Sequence, residues 1–177
     1  MSQGRPGPML DQADINAALQ EMQNLLGANG ALAGGVALQR LGSRRFTANV
    51  DFVVSGYPPG LKLGQQLVFG GHSVVTSRGV PVDLILRSDD FRELYVEALK
   101  YARRDAAGVR SVSPEYLCAM KMVAGRGKDA SDLEWLLTSG AVDIAKARRI
   151  IKRVLGAYAA KDFDKRVSLA EWERSRE

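Results

Sequence analysis

Three polar side chains in two strand-like segments have the residue types and the spacing that bind divalent cations. Asn49 and Asp51 lie two positions apart in the segment 46–54, and Asp83 lies in the later apolar run 80–86. Side chains two positions apart on a strand project to the same face, about 6–7 Å from each other. With an acid from a neighbouring strand and a glycine turn nearby, such a set holds hard cations and a triphosphate. The chemistry it supports is nucleotidyl transfer.

A glycine pair precedes these residues in the chain. Gly34 and Gly35 end the apolar stretch 31–33 and are followed by "VALQRLG", a pattern typical of a strand, a tight turn and a helix ending at Gly42. Glycine lets a backbone approach phosphate closely, so Gly34 and Gly35 are candidate phosphate-binding residues. The alternative is that the pair only permits a tight turn.

Asn49 is the unusual member of the set. An amide oxygen can coordinate Mg²⁺, but it brings no negative charge. One unit charge about 4 Å from another contributes roughly 1 kcal/mol in water and several times that in a shielded cleft. Cation occupancy and rate should therefore both fall. The alternative to a cation at Asp51 and Asp83 is pairing with Arg44 or Arg45, because a buried unpaired acid costs several kcal/mol.

Hydrophobic periodicity indicates the elements that position these residues. We predict an amphipathic helix over 11–28, a half-buried strand over 46–54, a hairpin over 72–87 and a helix over 89–107. Beyond a short strand near 109–112 the pattern is helical, with Ser113 and Asp143 as caps. The predicted fold class is α+β: a small mixed β-sheet with flanking helices, followed by a C-terminal helical region.

Three regions follow from this pattern. Residues 1–9, rich in Gly and Pro, are predicted to be a disordered lead-in rather than a signal peptide. Residues 10–112 form the α/β region, and residues 113–177 form helices packed on it. No apolar run approaches the roughly 20 residues that a bilayer requires, so we expect a soluble, cytoplasmic protein without a membrane partner.

Composition excludes several other kinds of site. The 177 residues include one cysteine and one histidine, which rules out a disulfide framework and makes a zinc site improbable. Cys118, in the helical "YLCAMKMV", is predicted to be a buried thiol, with a nucleophile as the alternative. His72 follows two glycines and is predicted to lie in a loop. The net charge of +5 is compatible with polyanionic partners but does not identify one.

The motifs occur in an ordered series. "GGVALQRLGSRRFTANVDFVV" contains Gly34, Gly35, Ala37, Gly42, Arg45, Thr47 and Asp51, and "VPVDLIL" contains Asp83. Downstream, "SPEYLCAMKMVAGRGKDASDLEWLL" contains Lys121, Arg126, Lys128, Asp129 and Asp132. In this order the residues resemble the abortive-infection-type (AbiEii-like) nucleotidyltransferases of the DNA polymerase β-like superfamily. The chain departs from that pattern at Asn49, where the family has its first metal-binding Asp.

The resemblance, which covers about residues 31–140, implies a nucleotidyltransferase-like fold and a magnesium- or manganese-dependent transfer of NMP from an NTP to an acceptor hydroxyl. Asp51 and Asp83 would be catalytic, and both would bind metal together with Asn49. The nucleotide-binding residues would be Gly34, Gly35, Arg45, Thr47 and Lys121. The acceptor, whether a tRNA, a protein or a small molecule, is not identified by the sequence.

Two alternatives remain open. The chain can be a catalytically degenerate binding or regulatory module, as Asn49 suggests, or a component of a toxin–antitoxin system with a partner protein, as the resemblance implies. Lys121 can be a surface lysine lying along an apolar helix. The basic residues Lys146, Arg148, Arg149, Lys152 and Arg153 can meet RNA phosphates, or they can form a solvated helix face.

Overall fold

A computed structural model describes residues 8–176 of the chain. Within these residues it separates into two compact units, the first formed by residues 8–87 and Arg103–Ser111 and the second by Ser88–Ala102 and residues 112–176. The second unit thus includes a segment that the sequence pattern placed in the α/β region. Of the predicted lead-in 1–9, residues 1–7 lie outside the described part of the chain.

The first unit is built on a six-stranded mixed sheet with the order β3-β4-β2-β1-β6-β5. β1 pairs with β2 and β3 with β4 in antiparallel fashion, whereas β2 and β4, like β1 and β6, are parallel. The strands are β1 (Gly30–Ala33), β2 (Val50–Val54), β3 (Gly71–Val75), β4 (Pro81–Ile85), β5 (Arg103–Arg104) and β6 (Arg110–Ser111). This sheet, with helices flanking it and a helical C-terminal part, confirms the predicted α+β class.

Two helices belong to the first unit, α1 (Gln12–Leu26) and α2 (Gly34–Arg40). α1 buries the apolar stripe that the sequence predicted and packs against β1 and β2. In the strands the inward residues Val50, Phe52 and Leu84 are buried, while Asp51 and Asp83 are only half-buried. The acids therefore occupy the positions of β2 and β4 that the core does not fill.

Two predicted elements are shorter in the structure. β2 begins at Val50 because the residues before it form hydrogen bonds outside the sheet. The Thr47 carbonyl accepts from the Leu10 amide, and the Thr47 hydroxyl donates to the Asn49 carbonyl. The helix predicted over 89–107 ends at Lys100, since Arg103–Arg104 pair with Arg110–Ser111 as a small hairpin. The loop prediction for His72 is wrong, because His72 lies in β3, opposite Leu84 of β4.

The second unit is helical. It consists of α3 (Arg92–Lys100), α4 (Pro114–Ala124), α5 (Gly127–Thr138), α6 (Ile144–Leu155) and α7 (Ala157–Arg174). α4 packs on α3, α5 and α6, and α7 packs on α5 and α6. Asp143 caps α6 by accepting from the Lys146 amide, as predicted. Ser113 occupies the N-cap position of α4, but its hydroxyl makes no capping bond. In residues 8–176, none of the helices is both apolar enough and long enough to span a bilayer.

Candidate functional site

The candidate site begins with the pairing of β2 and β4. These strands are parallel, and their register places Asp51 directly beside Asp83. Register partners on neighbouring strands point to the same face of a sheet, so the two carboxylates project together. Asn49 immediately precedes β2, and its amide nitrogen donates to Asp51 Oδ1 and to Asp83 Oδ2, with both distances 2.9 Å. The three residues that the sequence selected as metal ligands thus converge.

The Asn49 amide group lies between the two acids. A side-chain NH₂ group carries two donors, and here each of them is directed at a different carboxylate. This neutral group supplies hydrogen bonds where a cation between the carboxylates would supply charge. In this arrangement Asn49 links the acids from the two strands without changing their net charge.

Gly34 brings the glycine turn against this acid pair. Its φ of +62° lies in the left-handed region, and a Cβ built there would lie 1.9 Å from Asp51 Oδ2. Any side chain at position 34 would therefore displace the Asp51 carboxylate. The close approach of backbone to carboxylate, in addition to the turn, requires glycine here.

Gly35 contacts the other candidate nucleotide-binding residues. A Cβ at position 35 would lie 3.2 Å from Arg45 Nε and 3.3 Å from Thr47 Oγ1, so the guanidinium and the hydroxyl both lie over this glycine. Thr47 is buried and Arg45 is half-buried. The first unit therefore brings a glycine turn, the Arg45 guanidinium and two acids together. The residues of this candidate site are Gly34, Gly35, Arg45, Thr47, Asn49, Asp51 and Asp83.

The side-chain oxygens of Asn49, Asp51 and Asp83 suit a magnesium or manganese ion. Two carboxylates and an amide oxygen are hard oxygen ligands, which both ions accept. The set fits if the Asn49 amide rotates so that its oxygen rather than its nitrogen is presented to the ion. Within residues 8–176, no three His, Cys, Asp or Glu side chains are grouped so as to hold a metal ion. A metal ion at this position would therefore need Asn49 as its third protein ligand.

Lys121 belongs to the second unit and is held there by acids. It lies on α4 with only 9% of its surface exposed, and its Nζ is 2.9 Å from Asp129 Oδ1 and 2.6 Å from Asp132 Oδ2. Burial acts to raise the pKa of Asp129, but hydrogen bonds from Arg126 and Lys121 outweigh it and lower that pKa. Lys121 is therefore not the exposed, snorkelling lysine that was one alternative. Asp129 and Asp132 of α5 thus pair with Lys121 of α4.

Ser73 is a site-facing residue that the sequence analysis did not select. It pairs with Asp83 across the β3–β4 hairpin, on the side of Asp83 away from Asp51. Its side chain therefore shares the face of the two acids. The signal was present in the sequence, because a hairpin centred on Arg78 pairs position 73 with position 83.

The remaining reactive side chains lie elsewhere. Cys118 is buried in α4, and burial, assisted by the charge of Glu115, raises its thiol pKa to about 12. A thiol in that state is not a nucleophile at neutral pH, which leaves the buried-thiol interpretation. His72 accepts or donates through Nδ1 to the Tyr57 hydroxyl at 2.9 Å and has its ring edge-on to Tyr57.

The similarity of this chain to known proteins lies in its structure. The sequence matches no protein-family model, and no curated protein is detectably similar to it. Among solved structures, the chain is similar to the crystal structure of an antigenic nucleotidyltransferase-like protein from Paracoccidioides brasiliensis. The TM-score is 0.49 at 19% identity, over 87% of this chain and 95% of the other. A likeness of this degree is too distant to assign a function, which must be inferred from the site itself.

Proposed function

We propose that the first unit binds the phosphates of a nucleoside triphosphate together with Mg²⁺ or Mn²⁺, and that the protein transfers NMP to an acceptor hydroxyl. The observation that supports this most directly is the convergence of Asn49, Asp51 and Asp83 beside the Gly34 turn. Paired acids, an amide and a glycine turn with an overlying arginine have the chemistry that triphosphate binding requires. The resemblance of the motifs to nucleotidyltransferases is consistent with the same assignment.

Each residue has a role in this proposal. Gly34 and Gly35 leave space for phosphate oxygens close to the backbone, and Arg45 donates hydrogen bonds to them. Thr47 donates to a phosphate oxygen once its hydroxyl turns away from the Asn49 carbonyl. Asp51, Asp83 and the Asn49 amide oxygen would hold the cation, which neutralises charge that develops on the phosphates. Asp83 accepts the proton of the acceptor hydroxyl. Most of the acceleration in such reactions comes from positioning and charge neutralisation, which these fixed groups supply.

A second candidate function is favoured by a specific contact. Because the Asn49 amide already donates to both Asp51 and Asp83, the acids have hydrogen-bond donors without a cation. A protein with this arrangement would bind nucleotide weakly, or not at all, and would release no pyrophosphate. It would then be a binding or regulatory module of the same fold, and its partner protein would have to be identified separately.

Calorimetry with each of the four NTPs, in Mg²⁺ or Mn²⁺, distinguishes these functions. The enzyme should bind at least one NTP in a metal-dependent manner and release pyrophosphate when tRNA, protein or small-molecule acceptors are supplied. Asp51→Asn should weaken binding, whereas Asp14→Asn, which removes an equal charge from the surface of the same unit, should not. Metal-dependent binding without pyrophosphate release under any condition would favour the module, and absence of NTP binding would reject a nucleotide site.

A further inference from the structure

The outer face of α7 carries large apolar and basic side chains that the core does not use. Tyr158, Leu169 and Trp172 are 88%, 56% and 53% exposed. They are interleaved with the exposed cations Lys161, Lys165 and Arg176, at spacings of three or four residues along one side of the helix. We call these six residues the α7 stripe.

The stripe is distinct from the packing face of the same helix. Ala160, Phe163 and Ala170 are the buried residues of α7, which packs on α5 and α6 within the second unit. Removing the stripe therefore leaves the core contacts of α7 in place. At 1.5 Å per residue, Tyr158 and Trp172 lie about 21 Å apart along the helix, which gives the stripe the length of an extended binding surface.

Charge and ring orientation limit what the stripe can bind. Within residues 8–176, neither Lys161 nor Lys165 forms an ion pair with an acid, in contrast to Arg148 and Arg166 nearby, which pair with Asp164 and Asp162. The Arg176 guanidinium lies over the Trp172 ring, 4.5 Å from its centroid. Cations without acidic partners, alternating with aromatic rings at a solvent-facing surface, complement phosphates and unstacked bases.

We propose that the α7 stripe binds single-stranded nucleic acid, with Lys161 and Lys165 on phosphates and Tyr158 and Trp172 under bases. A duplex is a poorer partner because its base faces are already stacked. Two copies of the stripe would bring lysines against lysines, and a lipid surface would require a continuous apolar face, which α7 has only on its buried side. The proposal does not depend on the nucleotide site of the first unit.

The test uses the full-length protein and a fluorescein-labelled single-stranded oligouridylate, measured by anisotropy across a range of salt concentrations. Lys161→Gln/Lys165→Gln should weaken binding and reduce the salt slope by about 1.4, since each phosphate contact on a single strand contributes about 0.7. Trp172→Ala should weaken binding about 5-fold or more by removing one stacked base. The matched control is Arg92→Gln/Lys100→Gln on α3, which removes the same charge from exposed positions of the same unit and should leave the affinity within about 2-fold.

Intrinsic tryptophan fluorescence supplies a second readout of the same contact. The chain has two tryptophans, so quenching of the parent by unlabelled oligouridylate that disappears in Trp172→Ala assigns the contact to Trp172. The proposal is overturned if the parent does not bind at low salt, if the α3 control loses as much affinity as the stripe variant, or if duplex binds as tightly. Stripe-dependent self-association or binding to anionic vesicles, without oligonucleotide binding, would also overturn it.

Discussion

Asn49 links the two acids of the candidate site through hydrogen bonds. Its amide donates to both carboxylates, so Asn49→Asp removes two hydrogen bonds and places a third negative charge beside Asp51 and Asp83. Without metal, the variant should be less stable than the parent by about 1–3 kcal/mol, since hydrogen bonds to charged groups are lost and repulsion is added. With millimolar Mn²⁺, its melting temperature should rise by about 4 °C more than that of the parent.

The matched control for this variant is Asn16→Asp, which adds the same charge to the exposed surface of α1 in the same unit. Its metal-induced shift should equal that of the parent. Thermal melts of the three proteins with and without Mn²⁺ make the comparison. Equal shifts in Asn49→Asp and the parent would show that position 49 is not part of a metal site.

Gly34 offers a second test at the level of one residue. Gly34→Ala must accept both a left-handed backbone and a Cβ at 1.9 Å from Asp51 Oδ2, whereas Gly125→Ala in α4 has a φ of +60° and nothing within 4 Å of its Cβ. We expect Gly125→Ala to cost about 1 kcal/mol and Gly34→Ala at least about 2 kcal/mol, measured by urea unfolding. Gly34→Ala should also abolish metal-dependent NTP binding. Equal costs would mean that the Asp51 carboxylate moves aside freely.

The sequence predicted much of this site because the contributing patterns are local. The spacing of Asn49 and Asp51 and the strand–turn–helix around Gly34 follow from a few neighbouring residues. The hydrogen bond from Asn49 to Asp83 could not be predicted in this way. It depends on the parallel pairing of β2 with β4, and β3 lies between these two strands in the sequence. Amide orientation between two acids is likewise a property of the assembled sheet.

The contact between α4 and α5 depends on a buried cluster of charges. Lys121 on α4 lies between Asp129 and Asp132 of α5, with all three side chains almost inaccessible to solvent. Replacing Lys121 removes a cation from both acids, although Asp129 keeps its pair with Arg126. Breaking a buried ion pair by removing one partner typically costs about 3–5 kcal/mol. We therefore expect Lys121→Met to lower the free energy of unfolding by that amount, measured in urea at pH 7. The exposed Lys152→Met on α6 should change it by about 0.5 kcal/mol or less.

Acid provides an independent check on this cluster. The folded-state pKa of Asp129 is lowered, so its contribution to stability is present above the unfolded pKa of about 3.9 and is lost as the pH falls through the lowered value. The stability difference between the parent and Lys121→Met should therefore shrink below about pH 4. If Lys121→Met is as stable as the parent at pH 7, the cluster does not hold the helices together, and the nucleotide-binding role for Lys121 gains weight.

The elements themselves were predictable where periodicity is strong, and less so at their ends. α1 and the helices from Pro114 onward show clear apolar stripes, and Asp143 caps α6 as its position suggests. The end of α3 at Lys100 was not visible, because Arg103–Arg104 continue a polar pattern that fits a helix as well as a strand. Pairing with Arg110–Ser111 decides between the two, and that pairing uses the Asp105 side chain, which accepts from the Ala107 and Val109 amides.

At the scale of the whole molecule, the least expected feature is that α3 belongs to the second unit. The apolar stripe of α3 indicates a buried face, but nothing in it specifies the surface that covers this face. The structure packs α3 on α4. Glu97 of α3 accepts from the Tyr116 hydroxyl at 2.8 Å and pairs with Arg153 of α6. These bonds lower the Glu97 pKa although burial acts to raise it, and the Tyr116 pKa rises to about 12, chiefly through burial.

Because α3 belongs to the second unit, we can predict which fragment of the chain retains a folded helical unit. A fragment of residues 88–177 keeps α3, whereas residues 113–177 lack it and expose the surface of α4 on which α3 packs. In the full chain, α3 buries Leu94, Tyr95 and Leu99. Fully burying one such side chain contributes about 1.5–3 kcal/mol. Loss of α3 should therefore cost more than the net free energy of unfolding of a small helical unit. Circular dichroism and urea unfolding should therefore show a cooperative transition for 88–177 and a broad, early one for 113–177.

In the full chain, Leu94→Ala should lower the free energy of unfolding by about 2–5 kcal/mol by leaving a cavity. Identical unfolding of the two fragments, or a Leu94→Ala variant as stable as the parent, would show that α3 is not part of this unit's core.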